Sequence, residues 1–172
     1  KYVLVSTAGK IVLPDYLDKK SKDLAKAVIE KNEFTAKASE KLAMTLVNNK
    51  KPINFIIVGL GNKTKLDSKN IRQYLFDTLK NESGKVFLSF ADQELDNMDI
   101  VAEVVEHINY KFDKYISKKK DKFLELSYLT DKKVPKLVEG YELAKISNIV
   151  KDLINEQAEV MNPKALADKA VE

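Results

Sequence analysis

The sequence predicts a three-layer α/β fold, a mixed sheet with helices on both faces. Three observations carry this reading. Apolar runs of strand length alternate with longer stretches whose apolar residues recur at helical spacing. The run Ile53 to Val58 is apolar at nearly every position, as a strand covered on both faces must be. A chain of 172 residues, 44% hydrophobic and 33% charged, can bury a core of its own without disulfide or metal staples.

The elements follow in order. Tyr2-Val3-Leu4-Val5 reads as a short buried strand bounded by Ser6 and Gly9. A lysine-rich helix is predicted from about Leu17 to Glu30, with Leu17, Leu24, Ala27 and Val28 on its inner face. Leu42 to Val47 and Ile53 to Val58 read as two strands joined by a hairpin, because Asn48-Asn49-Lys50-Lys51-Pro52 has turn composition. Gly59-Leu60-Gly61 ends the second of them. A helix over Ser68 to Lys80 carries Ile71, Tyr74, Leu75 and Leu79, and Val86 to Phe90 is the next strand. Asn97 or Asp99 can cap a helix with Ile100, Val101, Val104, Val105 and Ile108. Lys122 to Leu129 reads as a strand and Leu137 to Ile154 as a long helix. Asn162-Pro163 is an N-cap followed by proline at the first helical position, so a last helix opens at Lys164. That helix has little room before Glu172, and the first residue is not methionine; the expectation is a piece of a longer protein.

Composition excludes more than it assigns. There is no cysteine, so thiolate metal sites, cysteine nucleophiles and disulfides are out, and a cytoplasmic home is expected. His107 is the only histidine, which rules out paired-histidine zinc sites within the chain. No apolar run reaches the ~20 residues of a spanning helix, so no membrane partner is expected. The net charge is +4, yet all but one of the thirty basic residues are lysine, Arg72 being the exception. Proteins that read phosphates and base edges favour the arginine fork, so the basic balance reads as a solvated surface. Lys118-Lys119-Lys120 with Lys122 is the best local phosphate patch, and a loop before a strand is its plainer reading.

Few residues suggest chemistry. Gly59, Gly61 and Asn62 follow a buried strand and precede a helix, the place of a phosphate-binding turn. They lack the third glycine of a dinucleotide fingerprint and the lysine of a phosphate loop. His107 borders the apolar stripe of its helix, with no partner visible in the sequence. Asp92, Glu94, Asp96 and Asp99 follow a strand end but match no calcium loop, and read as a solvated acidic loop. No serine has a nucleophile-elbow context. The residues by themselves assign no active site.

The tail supplies a resemblance. Lys151-Asp152-Leu153-Ile154-Asn155-Glu156-Gln157-Ala158-Glu159-Val160-Met161-Asn162-Pro163-Lys164-Ala165-Leu166-Ala167 resembles the entry to the catalytic domain of leucyl (cytosol) aminopeptidases, which typically reads Arg-Asp-Leu-Val-Asn-Glu-Pro-x-Asn-x-x-x-Pro-x-x-Leu-Ala. Asn155, Glu156 and Pro163 carry the match; Lys151, Gln157 and Glu159 depart from it. Glu33-Phe34-Thr35-Ala36-Lys37 is similar to the family's Asp-Phe-x-Gly-Lys, without the glycine. Ile57-Val58-Gly59-Leu60-Gly61 resembles its strand ending in Val-Gly-Leu-Gly, and Tyr110-Lys111-Phe112-Asp113-Lys114-Tyr115 its Tyr-x-Phe-Asp-x-Tyr.

The resemblance implies a macro-domain-like, non-catalytic N-terminal domain over residues 1–135. A connecting helix over 136–155 and the start of a metallopeptidase domain over 156–172 would follow. It implies two divalent metals, zinc or manganese, in the parent enzyme and none in this chain, because the ligand-bearing Asn-Thr-Asp-Ala-Glu-Gly-Arg stretch is absent here. The expected partners are the chain's own C-terminal catalytic domain, further copies in a homo-hexamer, and peptides as substrates of the parent. Two other readings stay open: an ADP-ribose or nucleotide module using Gly59-Leu60-Gly61, and a DNA-binding module, which the single arginine argues against.

Overall fold

The computed structural model describes residues 1–9, 11–91, 98–118, 123–129 and 135–171. Its elements are β1 (Tyr2–Ser6), α1 (Lys19–Lys31), β2 (Lys41–Asn48), β3 (Lys51–Gly59), α2 (Ser68–Leu79), β4 (Gly84–Phe90), α3 (Met98–Asn109), β5 (Leu124–Tyr128), α4 (Pro135–Asn155) and α5 (Pro163–Val171). The strands form one sheet in the order β2-β3-β1-β4-β5. β1 lies at the centre, parallel to β3 and β4; β5 runs parallel to β4, and β2 closes the other side antiparallel to β3. The fold is the predicted mixed α/β sheet.

Alternation along the central strands sorts the core into two halves. Val3, Val5, Ile56 and Val58 face a layer built from Ile71 and Leu75 of α2 and from Val101 and Val104 of α3. Leu4, Phe55 and Ile57 face the opposite side, where Leu17, Ala25 and Phe34 cover them. Each fully buried aliphatic side chain contributes about 1.5–3 kcal/mol. Helices thus cover both faces, α1 on one and α2 with α3 on the other.

The β2–β3 hairpin turns on two residues, Asn49 and Lys50, both with left-handed φ (49° and 65°), the backbone of a type I′ turn. Pro52, second in β3, pairs with Val47 beyond the reach of β1, whose first partner in β3 is Phe55. It sits where the missing N–H is not needed by either neighbour. The hairpin is tied to α1 through Asp18. One carboxylate oxygen caps the helix by accepting from the Ser21 N–H at 2.8 Å, and the other accepts from the Asn49 N–H at 2.7 Å. Those backbone bonds hold the Asp18 carboxyl below its ordinary range.

The inner face of α1 differs from expectation. Leu24 is 47% exposed and Ala27 is exposed too. Ser21 and Ala25 are buried instead, with Val28 and Ile29 half-buried. The Ser21 hydroxyl donates to the Val47 carbonyl at 2.9 Å, and this bond rotates the helix so that a serine faces the sheet. Two further boundaries shift. α3 starts at Met98, so Asp99 lies in its first turn rather than capping it, and Phe123 precedes β5 with its ring exposed. Asn97 lies outside the described residues.

Tyr16 packs beside Tyr2 with ring centroids 5.4 Å apart, its hydroxyl 3.3 Å from Ser89 Oγ. Burial pushes its phenol up to about 12. A phenol whose pKa is raised by folding stabilises fully below the unfolded value of about 10 and loses that contribution as pH rises through the folded value. Denaturant titrations should therefore show stability falling between pH 10 and 12 by about 2–3 kcal/mol. Tyr16→Phe should remove that part of the fall.

Candidate functional site

The glycine turn is a packing device. A Cβ on Gly59 would lie 2.1 Å from the Lys37 carbonyl oxygen, so only glycine admits the loop that crosses it. The Gly59 N–H donates to the Glu40 carbonyl at 2.8 Å, Leu60 to Ser6 at 2.9 Å and Gly61 to Ala36 at 3.0 Å. The three backbone donors a phosphate would use thus already serve carbonyls. Gly61 takes a φ of 77°. Asn62 accepts from the Thr64 N–H at 3.0 Å and caps a short 3-10 turn at Lys63–Lys65. Ala36 also has left-handed φ, 57°, a backbone conformation that favours glycine.

The tail residues meet a segment some forty positions earlier. α4 lies against α3, and contact is closest at Gly140, where a Cβ would stand 2.0 Å from the Asp99 carbonyl oxygen. Further along, the Tyr110 hydroxyl donates to Asp152 Oδ1 at 2.9 Å and accepts from Asn155 Nδ2 at 3.1 Å. Lys114 Nζ and the Tyr115 hydroxyl both donate to Glu156, whose side chain is only 8% exposed. These bonds hold the Glu156 carboxyl below its ordinary range. Pro163 opens α5, and the Asn162 side chain accepts from the Ala165 N–H at 3.0 Å. The structure thus brings Asn155 and Glu156 onto the Tyr110–Tyr115 motif.

His107 has partners the sequence did not disclose. Its Nε2 lies 3.4 Å from Glu103 Oε1, and its Nδ1 lies 2.7 Å from Lys151 Nζ. Glu103 in turn accepts two bonds from Arg72 of α2, at 3.0 and 2.7 Å, which hold the guanidinium firmly charged. Burial pushes the Lys151 ammonium down, against the pull of Glu103. A signal for this chain was the i, i+4 spacing of Glu103 and His107; its links to Arg72 and Lys151 join three helices and leave no local pattern.

The outer face of α4 is apolar. Val138, Leu143, Ile146, Ile149 and Ile154 are exposed, the last by 75%. Large apolar side chains gathered on one helix face mark a surface made for contact. At the C-terminal ends of β1 and β4 there is also a crevice of about 410 Å³ lined by Leu4, Leu13, Tyr16, Ser89, Ala91 and Leu129.

Among the described residues no group of three or more His, Asp or Glu side chains could hold a metal ion. Asp92, Glu94 and Asp96 lie outside the described residues, as do Lys119, Lys120 and Lys122; Lys118 is exposed. Among the described residues no helix is long and apolar enough to cross a membrane.

The family described as "Cytosol aminopeptidase family, N-terminal domain" matches residues 4–119. A probable cytosol aminopeptidase of Fusobacterium nucleatum is 75% identical over 170 residues, covering 99% of this chain and 36% of its own length. One from Aquifex aeolicus is 30% identical over 166 residues, covering 90% and 33%. The chain therefore spans about a third of these relatives. Among solved structures, a tomato leucine aminopeptidase mutant superposes with a TM-score of 0.69 at 14% identity, over 99% of this chain and 38% of that one. The bottromycin maturation enzyme BotP in complex with Mn gives 0.68 at 19%, over 98% and 34%. At these identities the structures support the fold. None of the matches favours the nucleotide or DNA readings.

Both close approaches are testable by urea unfolding. Gly59→Ala should lower stability by about 3 kcal/mol, because backbone rather than a flexible side chain blocks the methyl. Gly140→Ala should cost about 2–3 kcal/mol and expose the facing amides of α3 to hydrogen exchange.

Proposed function

The chain belongs to the cytosol aminopeptidase family, of which it is the non-catalytic N-terminal part, and from that premise we propose that it serves as the docking scaffold of a longer metalloexopeptidase. In this proposal residues 1–135 form the macro-domain-like body, 136–155 the connecting helix, and 156–172 the start of the catalytic domain. The complete enzyme removes N-terminal residues from peptides in the cytoplasm. It uses two divalent ions, zinc or manganese, whose ligands lie outside this chain and which supply an activated water. Further copies assemble with it into a hexamer.

The observation that carries the reading is the exposed apolar face of α4, Leu143, Ile146, Ile149 and Ile154, beside a tail fastened at Glu156. A helix anchored on one side to α3 and apolar on the other joins two bodies by burying both its faces. Glu156 fixes the direction in which the chain leaves the helix.

Activity is the test. The complete polypeptide that contains this chain should release N-terminal residues from leucyl peptides when loaded with zinc or manganese, and should elute as a hexamer in gel filtration. The 172-residue chain alone should show no metal-dependent turnover. Hydrolysis by the chain alone would contradict the proposal, as would a complete protein inactive with either metal.

A further inference from the structure

At the seam of α3 and α4 a histidine stands between an acid and an amine. An ammonium only donates, so His107 Nδ1, 2.7 Å from Lys151 Nζ, must be the acceptor. The imidazole proton then sits on Nε2, facing Glu103 Oε1 at 3.4 Å. His107 is therefore neutral in this arrangement. Lys151 completes its surroundings with Asn148 Oδ1 at 3.1 Å and the Tyr110 ring at 5.0 Å. The remaining charged neighbours are Glu106 on α3 and Lys145 and Asp152 on α4. From α2 Arg72 reaches His107 through Glu103, whose two oxygens it already holds, and it also feels Asp99 of α3.

We propose that the contact between His107 and Lys151 is a pH-operated latch on the C-terminal half of α4, closed while the imidazole is neutral and released when Nδ1 takes a proton. A proton on Nδ1 would set an N–H and a cationic charge against the Lys151 ammonium at hydrogen-bond distance. Arg72 already draws on Glu103, so that carboxylate offsets only part of the repulsion. Lys151 swings away, and Asn148 Oδ1, now 3.4 Å from Nδ1, is the acceptor left for the new N–H. Losing Lys151 from the seam loosens the turn of α4 whose Asp152 and Asn155 hold Tyr110. The sign is fixed by linkage: the closed form disfavours the proton, so acid populates the open one.

Hydrogen exchange on the intact protein tests this, with amide rates corrected for the intrinsic effect of pH. One linked proton changes an opening equilibrium by at most tenfold per pH unit. We expect protection of residues 148–155 to fall about tenfold between pH 7.5 and 5.5, while α2 stays protected. His107→Gln keeps an acceptor for Lys151 but cannot be protonated, so its protection should not change with pH. Lys151→Met removes the repelled charge and should abolish the dependence too, which leaves a second reading should one variant fail to fold. Wild-type protection that is flat with pH overturns the proposal, and so does an equal fall in the variants.

Discussion

The position of everything after the sheet depends on one seam, where α4 meets α3. α3 is itself fixed, because Ile100, Val101 and Val104 are buried in the core over β4 and β1. α4 is anchored less firmly: Leu137 packs partly buried against that core, Ala144 is fully buried, and Gly140 lets its backbone reach the Asp99 carbonyl. A small-residue contact of this kind sets the axis of a helix with little tolerance, since any added methyl meets backbone. The polar links from His107 to Glu156 then fix how far the helix extends and where the chain leaves it.

The motifs that resemble the family's have a physical meaning that their sequence order hides. Glu33 to Lys37 lies against Gly59 and Gly61, and Tyr110 to Tyr115 lies against Asp152 to Glu156. Each motif is half of a contact between distant segments. The first pair closes a loop over a strand end, and the second closes the helix that follows the sheet.

Much of the architecture was legible in the residues. Strand length and all-round apolarity placed β3 in the middle region, the Asn-rich turn marked the hairpin, and Asn162-Pro163 marked the start of α5. These signals are local, so periodicity and turn chemistry suffice to read them. What stayed hidden was set by tertiary contacts. Ser21 outranks Leu24 for the inner face of α1 because its hydroxyl finds a strand carbonyl. Gly59 reads from the sequence as a turn glycine with a minor phosphate-turn alternative, and only the loop above it shows how its donors are spent. His107 looked solitary because Lys151 is forty-four positions away.

The central claim is that the apolar face of α4 is covered by the remainder of the protein. The chain has no cysteine of its own, so single cysteines placed by Ile146→Cys and Ile154→Cys report that face once any cysteine elsewhere in the complete polypeptide is replaced by serine. Their rates of reaction with a thiol reagent are to be compared in the 172-residue chain and in the complete polypeptide. The account predicts fast labelling in the chain alone and labelling slowed by at least about tenfold in the complete protein, as burial of a surface thiol entails. Equal rates in the two would contradict it.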